Sequence, residues 1–261
     1  MDASANIGER QSQLTIQQRI AARRRPDGFP IMHQSWDKLL FLNWEVPVDA
    51  VRPLIPEPLA IDTFNGSAWL SITPLTIYDV RSPVLPALPY VSWLHELNVR
   101  TYVHFDGVPG VWFFSLDANN LPAVLGARLL FKLPYYSADI SLESENNEIA
   151  FDSKRSDGKA FFEAKWLVGS RLPSSEPGSL QYFLTERYSL YTADEQDIYR
   201  CRIHHAPWPL QETSEVSNFK SNMFQIAGIP TPDGLSIKYC GGPDDVDVWP
   251  LEKVTPLLSN A

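Results

Sequence analysis

Cysteine is scarce: Cys201 and Cys240 are the only two in 261 residues. That is too few for the disulfide framework of a small secreted domain, and their strand-like flanks lack the knuckle spacing of a structural zinc site. Both are expected to be reduced. Basic clusters are equally rare. Apart from Arg23-Arg24-Arg25 there is no run of Lys or Arg, and the formal charge is −9, which argues against nucleic acid as a partner. No stretch approaches the roughly 20 apolar residues needed to span a bilayer. Met1–Arg25 lacks the uninterrupted apolar core of a signal peptide. A cytoplasmic location without membrane attachment is the expectation.

Several catalytic signatures are missing too. There is no G-x-S-x-G elbow, no G-x-G-x-x-G and no Walker A loop, and His95-Glu96 is followed by Leu97-Asn98-Val99 rather than a second histidine. Serine hydrolase, Rossmann enzyme, P-loop NTPase and zincin are therefore poor readings. Five histidines occur, at 33, 95, 104, 204 and 205. Neighbours on a strand point to opposite faces, so His204 and His205 do not share a ligand easily. Neither a metal nor an organic cofactor is expected.

What the chain has in quantity is proline, with 22, and apolar residues, at 44%. Prolines at this density interrupt long helices and favour short strands joined by turns, while the length allows a sizeable core. Residues 1–28, rich in Gln, Arg and Ala, read as an appended arm, partly disordered or holding a short helix through Leu14, Ile16 and Ile20 that ends at Pro26. Residues 29–261 read as one domain. Strands are expected at Trp36–Trp44, Ala68–Thr73, Glu96–Tyr102, Val111–Leu116, Ala138–Glu143, Glu148–Asp152, Phe161–Val168, Tyr182–Tyr191, Ile198–His204, Ser236–Cys240 and Val246–Trp249. Asp49 is a candidate N-cap for a short helix through Ile55, and Val216–Ile226 reads as another short helix.

Glu96, Asn98, Arg100 and Tyr102 alternate with Leu97, Val99, Thr101 and Val103, so one face of a strand carries the strongly polar groups. Such a row lines a polar pocket or faces bulk water, and the pattern fits both. Arg128 sits among Ala127, Leu129, Leu130 and Phe131, where a guanidinium is costly unless paired or holding an anion. Read with period two, Lys132 shares its face. A desolvated lysine is a Schiff-base nucleophile, but a lysine at a strand end is more often solvated. The expected architecture is mainly β, a single closed or near-closed antiparallel barrel with a few short helices.

The runs Gln34-Ser35-Trp36, Leu54-Ile55-Pro56, Glu96-Leu97-Asn98-Val99-Arg100-Thr101-Tyr102, Gly110-Val111-Trp112-Phe113-Phe114-Ser115-Leu116-Asp117, Leu133-Pro134-Tyr135, His205 with Pro207-Trp208-Pro209 and Val246-Asp247-Val248-Trp249 resemble the YqjF-like family DUF2071. More distantly, the chain is similar to the acetoacetate decarboxylase superfamily, whose members share a closed β-barrel around a central pocket. That resemblance implies that Glu96, Asn98 and Arg100 face inward, with Glu96 where those decarboxylases carry a pocket glutamate. Ser115, Asp117, Arg128, Tyr135 and Tyr136 are the implied neighbours. The Pro-Lys-Lys element that supplies the Schiff base in those enzymes reads Pro134-Tyr135-Tyr136 here, which argues against imine chemistry.

The function that follows is a pocket for a small organic acid or carbonyl compound, with lyase or proton-transfer chemistry if it catalyses. Glu96, Tyr135 and Tyr136 are the catalytic candidates: Glu96 as acid or base, either tyrosine as donor to an oxyanion. Arg100, Asn98, Arg128, Ser115 and Asp117 are the substrate-binding candidates, with either arginine as anion clamp. A non-catalytic binding or sensing module is the alternative, and an arm that docks a partner is a third reading. A homo-oligomer is compatible with the sequence.

Overall fold

Short runs of β-branched and aromatic residues separated by Pro, Gly and Asn turns give strands rather than helices, and the computed structural model of the chain is accordingly β-rich. It describes residues 13–87, 92–213, 216–234 and 236–257. The strands are β1 (Met32–Asp37), β2 (Leu39–Val46), β3 (Ala60–Ile61), β4 (Ala68–Arg81), β5 (Trp93–Phe105), β6 (Val108–Ala118) and β7 (Tyr135–Glu145). They continue with β8 (Glu148–Arg155), β9 (Phe161–Leu167), β10 (Ser189–Ala193), β11 (Asp197–His205), β12 (Val216–Ser221), β13 (Ile237–Gly241) and β14 (Asp244–Pro256).

Hydrogen bonding closes part of this sheet on itself. β6, β5, β4, β1, β14, β11 and β10 follow one another, and β10 pairs back onto β6, so seven strands form a ring. Two long strands then change partners midway. β4 pairs with β2 over Ala68–Ile72 and with β1 over Thr76–Arg81. β6 pairs with β10 at Val111–Trp112 and with β7 at Leu116–Ala118. The lengths that leave the ring carry a second layer, β13–β2 on one side and β7–β8–β9–β12 on the other. Between layer and ring lies an apolar core that includes Leu42, Ile72, Val99, Phe151, Phe162 and Trp166. A separate apolar cluster, with Leu75, Ile77, Leu116, Cys201 and Val248, lines the inside of the ring.

Several expectations are corrected. The sheet is mixed: β6 runs parallel to both β10 and β7. Trp36–Trp44 is two strands, because Lys38 takes a left-handed conformation at φ 53° and sends β2 to a different place in the sheet. Tyr182–Tyr191 begins as a helix, Leu180–Thr185, whose Tyr182 N–H donates to the Ser179 hydroxyl; only Ser189–Ala193 is strand. Most of Val216–Ile226 is β12, with helix confined to Met223–Ile226. Pro47, not Asp49, stands at the N-cap of Val48–Val51.

Ala127–Lys132, read with period two, belongs to the helix Leu121–Phe131. Asn120 accepts from the Ala123 N–H at its start, and Lys132 ends it at φ 54°. The three prolines of Arg81–Tyr90 predict a loop there; it lies partly outside the described residues, and Arg81 itself ends β4. In the arm, Thr15 and Gln18 form a capping box for the helix Ile16–Ala22. Arg19 binds both oxygens of buried Asp62 at 2.6 and 2.7 Å, and Arg187 binds the same carboxylate at 2.5 Å. The arm helix is thus tied to the body by a shared ion pair. Among the described residues no helix is long and apolar enough to cross a membrane.

Ring closure depends on close approach at Gly110. A methyl group there would lie 2.7 Å from the Tyr191 ring and 2.8 Å from the Ser189 carbonyl oxygen, both next to the parallel β6–β10 contact. Gly110→Ala is therefore expected to destabilise the protein by about 1–3 kcal/mol through overpacking, measured by denaturant unfolding; an unchanged midpoint would show that the ring closes without this contact.

Candidate functional site

β5 is covered on both sides, so its two faces have different fates. Leu97, Val99 and Val103 enter the core between ring and layer. Leu94, Glu96, Asn98, Arg100 and Tyr102 belong to the ring side. Glu96, Asn98 and Arg100 are 4%, 3% and 7% exposed, which decides between pocket strand and solvent strand: the row is buried.

Tyr135 reaches Glu96 because of how the chain returns to the sheet. After the left-handed Lys132, Leu133-Pro134 leads into β7, and the Leu116 N–H donates to the Pro134 carbonyl at 3.0 Å. Leu116 thereby faces Tyr135 on one side and Asn98 on the other. The Tyr135 hydroxyl donates to Glu96 Oε2 at 2.5 Å, and Asn98 Nδ2 donates to Oε1 at 3.1 Å. Burial pushes the Glu96 carboxyl above its ordinary value, with the Tyr135 and Asn98 hydrogen bonds and the Arg100 charge acting against it. Burial also holds the Tyr135 phenol well above its usual value, helped by the adjacent Glu96 charge. At neutral pH the phenol therefore keeps its proton and remains a donor.

The pair opens onto a cavity of about 540 Å³ inside the ring. Met32, Ile77, Leu116, Leu190, Ile203 and Val248 are among its wall residues from β1, β4, β6, β10, β11 and β14, and the helix Leu121–Phe131 covers one side with Ala123, Gly126, Ala127, Leu130 and Phe131. Gln34 also lines the cavity, but its amide oxygen accepts from the Trp36 indole at 2.7 Å. Asn98 and Arg100 stand behind Glu96, outside the lining. The Arg100 guanidinium lies 5.4 Å from the centre of the Phe41 ring, and its Nε, like Asn98 Oδ1, is buried without a hydrogen-bond partner among the described residues.

The other sequence candidates lie elsewhere. Ser115 and Asp117 pair with Val99 and Leu97, hence share their face, away from Glu96. Asp117 is held by Arg155 at 2.6 and 3.0 Å, a buried structural ion pair. Tyr136 follows Tyr135 on the same strand and so faces the opposite way; its ring sits 3.8 Å from the Arg155 guanidinium carbon. Arg128 is not embedded in an apolar strand: it is exposed on the covering helix, and its Nε donates to the Tyr135 carbonyl at 2.6 Å. Lys132 points outward to Asp194, 3.1 Å away.

A second buried polar cluster is separate. Glu186 accepts from the Tyr188 hydroxyl and the Trp208 N–H, and His205 stacks between Tyr188 and Trp208; none of the four lines the cavity. The covering helix was missed from sequence although its signals are present: Asn120 before Leu121-Pro122, then leucines at 121, 125 and 129.

Residues 33–242 match the family DUF2071, described as an uncharacterized conserved protein. The chain is 42% identical over 229 residues to the uncharacterized protein YqjF of Bacillus subtilis (strain 168), covering 87% of this chain and 94% of that one. Among solved structures, the enduracididine biosynthesis enzyme MppR, complexed with the condensation product of pyruvate and imidazole 4-carboxaldehyde, superposes with a TM-score of 0.62 at 11% identity over 87% of this chain and 90% of its own. An acetoacetate decarboxylase superposes with 0.60 at 14% identity over 91% and 93%, and that of Legionella pneumophila with 0.60 at 11% over 90% and 93%. At these identities the likeness is one of fold.

The Glu96 shift makes a stability prediction with a definite sign. A carboxyl whose folded value is raised above 4.5 binds its proton more tightly in the folded state, so its contribution is complete below that pH and is lost as pH rises through the folded value. Glu96→Gln removes the loss. Its melting temperature relative to the parent protein should therefore climb as pH rises above about 4.5; a difference that stays constant with pH would contradict the burial argument.

Proposed function

We propose a function for a chain that belongs to the DUF2071 family and carries an acetoacetate decarboxylase-like fold: it holds a small organic acid or carbonyl compound in the ring cavity and moves a proton on it through Glu96. The observation that carries this reading is the buried carboxyl–phenol pair, Glu96 and Tyr135, on the wall of an otherwise apolar cavity. Desolvation raises the basicity of the carboxylate, which suits it to accept a proton from carbon next to a carbonyl. The electron pair of that C–H bond then moves toward the carbonyl oxygen, where the protonated Tyr135 hydroxyl can donate. A carbonyl oxygen that takes the Tyr135 hydrogen bond also leaves Glu96 more basic, because one of the interactions that lowers its affinity for a proton is withdrawn.

No Schiff base enters this scheme. Tyr135-Tyr136 stand where the resemblance places two lysines, and Lys132 is spent on Asp194. The names of the fold relatives, an acetoacetate decarboxylase and a pyruvate-derived complex, support the ligand class. One observation favours a second reading, binding without turnover: Glu96 already receives hydrogen bonds from both Tyr135 and Asn98, which steadies a carboxylate that only has to recognise.

Exchange of ketone α-hydrogens for deuterium, followed by NMR, separates the two. The parent protein is expected to catalyse exchange, and Glu96→Gln to lower the rate by roughly 10²–10⁴. An exchange rate that Glu96→Gln leaves intact removes Glu96 from the chemistry; a ligand that binds and is recovered without exchange establishes the binding module.

A further inference from the structure

Resting on the carbonyl-pocket reading, we infer that the ligand is an uncharged carbonyl compound with an extended apolar body, a medium-chain ketone or lactone rather than a short keto acid. Size is the first argument. A cavity of about 540 Å³ is on the order of eighteen water volumes, so a three-carbon acid leaves most of it unfilled. The walls are the second. Around the Glu96–Tyr135 pair they are almost entirely aliphatic and aromatic, and the Gln34 amide, the remaining polar group of note, is engaged by Trp36. Burying a hydrocarbon chain there is favourable in proportion to its area.

Charge is the third argument and excludes the smaller acids. Among the described residues no Lys, Arg or His lines the cavity. Arg100 is screened behind Glu96, Arg128 is on the outer side of the covering helix and Lys132 faces Asp194. A carboxylate inside would therefore lie against the Glu96 carboxyl with no cation on the cavity wall to balance it. A neutral carbonyl needs one donor, and Tyr135 is that donor.

The covering helix is shaped for the same guest. Its inward positions Ala123, Gly126 and Ala127 are small, leaving room beneath it. Leu130 lines the cavity and is also 62% exposed, so the mouth is apolar as well. At Gly126 an added Cβ atom meets nothing within 4 Å, and the residue lines the cavity, so a larger side chain can be started there without an immediate clash.

The experiment is a binding series by calorimetry: methyl ketones from butanone to undecanone and a medium-chain lactone, against pyruvate and acetoacetate, on the parent protein, Gly126→Leu and Glu96→Gln. Affinity is expected to rise about fourfold per methylene until the cavity is full, and to fall at least tenfold for the longer members in Gly126→Leu. Tight, Glu96-dependent binding of the keto acids with no gain from chain length would overturn this inference and leave the carbonyl pocket standing. Binding of neither class would overturn both. The chain-length series uses the parent protein alone and decides the matter even if Gly126→Leu does not fold.

Discussion

A strand buried on both faces has to satisfy each polar side chain with a partner or a cavity, and β5 is such a strand from Leu94 to His104. Everything at the site follows from this constraint. The face toward the outer layer is largely apolar and forms core; the ring face carries Glu96, Asn98, Arg100 and Tyr102 in sequence along the interior. Deep in the ring Tyr102 is satisfied by the Leu184 carbonyl at 2.9 Å, and Arg100 has the Phe41 ring as its contact. At the open end Glu96 has Tyr135, and beyond that pair the interior is hollow. The row thus grades from structural to accessible.

The same constraint sets the Glu96–Tyr135 pair apart from the ion-paired carboxylates. Asp117 and Arg155 neutralise each other on the opposite side of β6, and Asp62 is held between Arg19 and Arg187, so those buried charges are spoken for. Breaking such pairs costs about 3–5 kcal/mol and is a stability matter. Glu96 differs because among the described residues no salt bridge holds it, and it opens onto the cavity. Arg128, read from sequence as an anion clamp, instead fastens the covering helix to the Tyr135 backbone.

Much of this was legible in the sequence. The alternation along β5 survived because its other face is apolar, and the strands expected at Ala138–Glu143, Glu148–Asp152 and Phe161–Val168 match β7, β8 and β9. Side choice was not. Ser115, Asp117 and Tyr136 were placed with Glu96, but which face they occupy is set by the registers Leu116 to Asn98 and Leu116 to Tyr135, and no single strand states its register. The covering helix was hidden because Leu121–Phe131 is apolar nearly all round, with leucines outward and small residues inward, so period gave no contrast. The left-handed Lys38, which splits β1 from β2, leaves no mark that residue type alone would reveal.

The central claim, an enclosed Glu96 carboxyl held by the Tyr135 phenol, is tested most directly by titrating that one group through its ¹³C carboxyl resonance. The account predicts an apparent pKa above 4.5, raised further in Tyr135→Phe, where a hydrogen bond favouring the charged form is gone. A carboxyl that titrates at or below the ordinary value and ignores the loss of the phenol would place Glu96 in water and contradict the account.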